Sequence, residues 1–297
     1  MPKSDQLAAP LKLMRQPRDD EIDVHGLTHI GKVRKQNQDH FLLASIHKRV
    51  EVYRTSLGDG RHLPFRDQRV AFLAMVADGV GGGEGGAEAS ATALENVMEY
   101  VVGGMDCYYR SDVNDDEFIL ALQDAALRAH KAVLERARMY QVEGKMATTL
   151  TMYMGVWPRI YLLQVGDSRY YQLRDDKLTQ LSRDQTIAEE LVSQGVFTRA
   201  VAARSGLANV LSSSIGGEQT APVITRLEQK WGSVHLLCSD GLTKHVSDEQ
   251  ITERLASMES AKQVSEQLLQ DALDGGGTDN ITIIVGRTVP KELPTAL

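Results

Sequence analysis

The sequence predicts an α+β domain made of two antiparallel sheets with helices packed outside them. Three observations carry that expectation. Strand-like apolar runs come early, in the middle and last. Two pairs of helix-period stretches lie between them. Most of the links are too short for the crossovers that parallel strands require. A chain of 297 residues that is 42% apolar and 25% charged has enough apolar material for a full core, as one large domain or two small ones.

Element by element, residues 1–22 are polar and proline-containing and are expected to form a loose arm before a domain over 23–288, with 289–297 as a tail. VHGLTHIG and HFLLASI are strand-like. A polar insert follows at 47–69, with six Lys or Arg against three Asp or Glu. Its VEVY and LGDG segments suit a hairpin, read either as a solvated surface loop or as a basic border of a cleft that attracts acidic peptides. RVAFLAMVAD is the continuous apolar run of a strand buried on both faces. Ala87, Ala91, Leu94, Met98 and Val101 mark one helix, and Ile119, Leu122, Ala126, Ala129 and Val133 mark a second, longer one. TTLTMYMGVW, RIYLLQVG and RYYQLRD follow closely enough to form a meander. SRDQTIAEELVSQG is a short helix with a glycine stop, and 196–230 is mixed and loop-rich. SVHLLCS is a buried strand, two helices cover roughly 248–273, and DNITIIVG is the last strand.

Bulk properties exclude several classes of function. A net charge of −7 disfavours non-specific nucleic-acid binding, and no segment approaches the ~20 apolar residues of a membrane span. The N-terminal segment lacks a signal-peptide pattern. Cys107 and Cys238 stand alone, with no CxxC and no Cys/His cluster, so neither zinc nor a disulfide framework is indicated. A reducing cytoplasmic setting is expected.

Chemistry concentrates in five aspartates beside strand ends or turns: Asp39, Asp78, Asp167, Asp240 and Asp279. An Asp-Gly pair alone is an ordinary turn. Asp78-Gly79 and Asp240-Gly241, however, each follow a buried run that aims the carboxylate from a rigid base. Oxygen donors without His or Cys select Mg²⁺ or Mn²⁺ over zinc. Two such ions can share a carboxylate and lower the pKa of a water between them, which suits phosphate-ester hydrolysis. Arg34, five residues before Asp39, is placed to fork onto phosphate oxygens. The glycine cluster after Asp78 lacks the Lys-Ser/Thr ending of a P-loop, and no serine stands in GxSxG.

RKQNQD, VADGVGG, KMATTL, VGDSRYY, LTQLSRDQT, VLSSSIGG, LLCSDGLT and TDNIT occur in this order between about Val24 and Arg287. Together they resemble the PP2C-type (PPM) metal-dependent protein serine/threonine phosphatases, in particular the bacterial single-domain form. The resemblance implies a four-layer α-β-β-α sandwich. It also implies hydrolysis of phosphoserine and phosphothreonine by a water or hydroxide shared between two Mn²⁺ or Mg²⁺ ions, with a third, weaker ion. Asp78 matches the carboxylate bridging the ions, and Gly79 the residue offering its carbonyl to the second. Asp240 and Asp279 match the remaining ligands of the first ion. Asp39 matches a holder of water, Asp167 a ligand of the third site shared with Asp240, and Arg34 the phosphate-binding arginine. Asn280 is expected to orient the Asp279 turn, and Thr148 and Thr149 to be structural. Residues 196–214 occupy the place of the family's flap. The implied partners are phosphorylated proteins and, through them, a Ser/Thr kinase.

Three positions depart from the family pattern: Gln38 replaces a glutamate, Val80 a histidine after the DG pair of some members, and Gln185 a histidine. Gln38 leaves open a phosphoprotein-binding regulator without turnover. A small-molecule phosphatase on the same fold is the other alternative.

Overall fold

A computed structural model describes residues 15–49, 51, 53, 54, 56, 68–81, 85–104, 114–142 and 144–291. In chain order the elements are β1 (Ile22–His29), β2 (Asp39–Lys48), β3 (Gln68–Val80), α1 (Gly85–Gly103), α2 (Asp115–Met139), β4 (Ala147–Thr148), β5 (Leu150–Val156), β6 (Arg159–Val165), β7 (Arg169–Arg174) and β8 (Lys177–Gln180). There follow α3 (Ile187–Ser193), α4 (Arg199–Ala202), β9 (Val223–Glu228), β10 (Val234–Cys238), α5 (Asp240–Thr243), α6 (Asp248–Ala256), α7 (Ala261–Asp274) and β11 (Ile281–Thr288).

The strands form two sheets in the orders β1-β11-β10-β7-β8 and β2-β3-β5-β6-β9, with β4 added to β3. Every pairing is antiparallel. Strand alternation separates three apolar layers. On β3, Leu73, Met75 and Ala77 pack outward under α1 and α2, while Ala74 and Val76 point inward. On β11, Ile281, Ile283 and Val285 pack outward under α7, while Ile284 points inward. The inward residues meet Tyr153, Ile160, Leu162, Tyr170 and Leu237 between the sheets. The expected α-β-β-α sandwich is therefore present, and its central strands are buried on both faces.

The helices follow their sequence signals. Asn114 caps α2 by accepting from the Glu117 N–H at 2.9 Å, and acidic residues fill its first turn. Ser247 and Gln250 form a reciprocal box at the start of α6. Buried Leu122, Ala126, Ala129 and Val133 form the predicted stripe of α2, with Phe118 stacked on Tyr161.

Two expectations are corrected. The segment 148–175 is not a single meander: β5 and β6 pair in one sheet, but β7 pairs with β10 and β8 in the other. The chain changes sheet at Gly166, whose φ of +99° is strained for other residues and whose missing Cβ leaves room for Thr149. The loose arm expected over 1–22 is described from Arg15, and from there the chain is anchored. The guanidinium of Arg15 donates to buried Glu21 at 2.6 Å, and the Arg18 and Lys291 backbone N–H groups donate to the same carboxylate. Most of the basic insert at 47–69, including its LGDG turn, and the glycines at 82–83 lie outside the described residues.

Arg15 holds the Glu21 carboxyl low, at about 2 against an ordinary 4.5, although burial acts the other way. A depressed acid contributes stability above its unfolded value and loses it as pH falls through its folded value. Glu21→Gln is therefore expected to be less stable than wild type at neutral pH. The gap in urea midpoint should close as pH falls from about 4.5 towards 2. A gap independent of pH would disprove the assignment.

Candidate active site

Asp39 opens β2 and Asp78 lies near the end of β3, and the two are direct partners across the strand pair. Directly opposed like charges are destabilising. Asp240 and Asp279 arrive from the other sheet, at the start of α5 and just before β11, and Asp167 lies at the turn where the chain changes sheet. Loss of water raises the Asp78 carboxyl well above the usual range, and Asp39, Asp240, Asp167 and Asp279 each push it further. The structure thus gathers all five predicted carboxylates at one end of the seam between the sheets.

Asp39 is buried, and its Oδ2 accepts from Ser239 Oγ and Thr282 Oγ1, both at 2.7 Å and both from the opposite sheet. Burial raises its carboxyl to about 6 against the pull of those hydroxyls, and burial with Asp240 nearby takes Asp167 to about 7. The Asp78 backbone is clamped on both sides. Its N–H donates to Thr149 Oγ1 and its carbonyl accepts from Thr148 Oγ1, each at 2.9 Å. This gives the expected structural role of the threonine pair a physical content. Gly79 is required by close approach, because a Cβ there would collide with the Gly86 backbone and the Gln38 carbonyl.

Asn280 organises the Arg34 loop. Its Oδ1 accepts from the Gln38 N–H at 2.9 Å, and its amide donates to the carbonyls of Ile30 and Gln36. Gln185 fixes the sheet-switching turn, accepting from the Gly166 N–H at 2.8 Å. The side chain of Gln38 donates to the Gly81 carbonyl at 3.3 Å.

The protein's own cations already engage part of this set. Arg34 is forked onto Asp279, with Nε 2.6 Å from Oδ1 and Nη2 2.8 Å from Oδ2. Lys244 Nζ lies 2.6 Å from Asp240 Oδ2 and 2.7 Å from Asp279 Oδ2, bridging them. Burial pushes the Lys244 ammonium pKa down, but the two carboxylates outweigh it and the net shift is upward. At Asp279, burial acts upward but Arg34 and Lys244 prevail, and its carboxyl is lowered. The sequence reading missed Lys244. Its signal was the four-residue spacing from Asp240, which brings acid and ammonium together on one turn of helix.

Among the described residues no three acidic, histidine or cysteine side chains close on a common point as metal ligands do. The donor set nevertheless fits a divalent cation. Asp39 Oδ1 and Asp240 Oδ1 are buried without a hydrogen-bond partner, which is uncommon for ionisable oxygens. The carboxylates are hard donors, they crowd one another, and the Gly79 backbone beside Asp78 is held by its N–H bond to the Gln38 carbonyl at 3.2 Å. A cleft of about 1200 Å³ adjoins them, lined by Asp167, Asp240 and Lys244 together with Arg183, Glu189 and Arg199. The expected flap contributes Arg199 and Ala202 of α4 to that lining.

Residues 55–274 match the protein phosphatase 2C family. The chain belongs to that family. Over 223 residues it is 36% identical to the serine/threonine protein phosphatase PstP of Mycobacterium tuberculosis, covering 74% of this chain and 41% of that one. It therefore spans about two-fifths of the length of that relative. The crystal structure of the Mycobacterium tuberculosis phosphatase superposes with a TM-score of 0.71 at 27% identity, covering 91% of this chain and 99% of that one. The catalytic domain of PstP in complex with two manganese ions gives 0.69 at 28% identity, with 91% and 99% covered. PppA of Pseudomonas aeruginosa gives 0.66 at 26% identity, with 90% and 97% covered.

Ser239→Ala removes one donor to Asp39 and the acceptor of the Thr282 N–H at 2.9 Å. Hydrogen bonds to a buried charge contribute about 1.5–3 kcal/mol, so a loss of that size is expected in urea unfolding with EDTA present. A loss below about 0.5 kcal/mol, as at an ordinary surface site, would show that the clamp does not hold Asp39.

Proposed function

We propose that this chain is a metal-dependent protein phosphatase that hydrolyses phosphoserine and phosphothreonine in proteins. The observation that carries this is the gathering of five aspartates at the seam of a protein phosphatase 2C fold, two of them opposed across one strand pair. Two divalent cations, when bound there, supply a water of lowered pKa and neutralise phosphate charge.

The chain's own residues have separable tasks. Asp78 and the Gly79 carbonyl would hold the two cations, with Asp240 and Asp279 as the remaining ligands of the first. Asp39, fixed by Ser239 and Thr282, would support bound water through its unpartnered Oδ1. Asp167 with Asp240 would hold a third, weaker ion. Arg34 is exposed enough to turn from Asp279 and fork onto the phosphate oxygens, orienting the phosphorus for attack. Either Mn²⁺ or Mg²⁺ suits oxygen-only ligands. The partners are phosphorylated proteins and, by opposition, the Ser/Thr kinase that modifies them. The acidic balance argues against nucleic acid as a partner. No helix among the described residues is long and apolar enough to cross a membrane. The sparse cysteines suit a reducing cytoplasm.

Release of phosphate from a phosphothreonine peptide should require Mn²⁺ or Mg²⁺ and stop with EDTA. Asp240→Asn should lower kcat/KM by more than about 100-fold, beyond the loss typical of an outer-shell partner. Full activity in that variant would refute the two-cation site. Arg34→Ala should raise KM for the peptide by about 10–100-fold, the factor that one charge-assisted pair supplies. Free phosphoserine should be a much poorer substrate than the peptide. Equal turnover of the two would favour a small-molecule phosphatase, and metal binding without turnover a regulator.

A further inference from the structure

Lys244 has no place among the tasks assigned above, yet it contacts both of the carboxylates that would complete the first cation site. Its Nζ stands between Asp240 Oδ2 and Asp279 Oδ2 at 2.6 and 2.7 Å, while the other oxygen of Asp240 is buried and unpartnered. An ammonium at hydrogen-bond distance from both carboxylates has the placement of a counter-ion for the pair. On the assignment of Asp240 and Asp279 as ligands, a divalent ion shared by the pair would compete with Lys244, which now stands on one oxygen of each.

We propose that Lys244 is a built-in competitor of the catalytic cation: it neutralises the Asp240–Asp279 pair in the metal-free protein and is displaced when the ion enters. Metal binding is then an exchange of one cation for another. Three features make the exchange feasible. The Lys244 stem is four carbons long and freely rotatable, unlike the planar fork of an arginine. The side chain is 29% exposed, so the ammonium has a path to water. It also lines the adjoining cleft, which gives it space to move into without disturbing the core. Helix α5 is a single turn that starts at Asp240 and is closed by its C-cap residue Lys244, whose N–H bonds the Asp240 carbonyl at 2.9 Å. Motion of the ammonium therefore leaves the Asp240 backbone in place.

The consequence is a centre that stays folded without metal and binds its ion less tightly than its carboxylates alone would. Isothermal titration of metal-free protein with Mn²⁺ tests this in wild type, Lys244→Met and Lys244→Arg. Lys244→Met keeps the apolar stem and removes the charge. It should bind Mn²⁺ at least about 10-fold more tightly, which is about 1.4 kcal/mol. Its melting temperature should fall in EDTA and recover with Mn²⁺. Lys244→Arg, which retains a competing charge, should stay within about threefold of wild-type affinity, a difference of well under 1 kcal/mol. Unchanged or weaker Mn²⁺ binding by Lys244→Met would overturn the proposal and mark Lys244 as a support of the site. If wild-type protein bound no Mn²⁺ at all, the cation site itself would fall, and this role with it.

Discussion

Two carboxylates facing each other across adjacent strands repel, and the rest of the centre is arranged around that repulsion. Asp39 and Asp78 are register partners on β2 and β3, so neither can move away without breaking the ladder. The register is fixed by the apolar alternation of β3, since a slip of one residue would turn Leu73, Met75 and Ala77 away from α1 and α2. Burial of those outward and inward layers thus holds in place an arrangement that is unfavourable on its own. The protein's own cations pair with the neighbouring acids instead, Arg34 with Asp279 and Lys244 with Asp240 and Asp279, and divalent ions meet the opposed pair in the proposed chemistry.

The centre is also a joint between the two sheets. Asp39 and Asp78 belong to one sheet, while Asp240 and Asp279 come with the other, and Ser239 and Thr282 reach across to hold Asp39. The Thr28–Thr282 hydroxyl contact at 2.8 Å extends the same polar line. Away from this end the sheets meet through apolar side chains, among them Ala74 and Leu162 from one and Leu237 and Ile284 from the other. Rigid strands on both sides place the ligands, and short polar bonds between the sheets set their relative depth.

Much of this was legible in the residues. The buried strands and the long helices announce themselves by period, and the aspartates by their position after apolar runs. What escaped did so for physical reasons. Period-2 alternation states that β7 is a strand but not which sheet receives it; the backbone freedom of Gly166 settles that. Strands β8 and β9 alternate between exposed and half-buried positions and carry polar residues, so their pattern merges with loop. Glu21 gave no sign of burial, because its partners Arg15 and Lys291 are remote from one another in sequence. Lys244 escaped because its second partner, Asp279, lies 35 residues away in the chain and meets it only in the fold.

Strand β10 also determines which metals the centre invites. Cys238 and Ser239 are neighbours in sequence, but alternation sends them to opposite faces. Ser239 turns towards Asp39, while Cys238 is wholly buried in the outer core against α6 and α7. Burial raises its thiol to about 12, so it stays protonated and sulfur offers nothing to the seam. Thiophilic ions such as zinc or copper therefore meet only oxygen here, although a thiol lies two residues before Asp240 in the chain. Strand geometry, rather than the absence of cysteine, keeps the site hard.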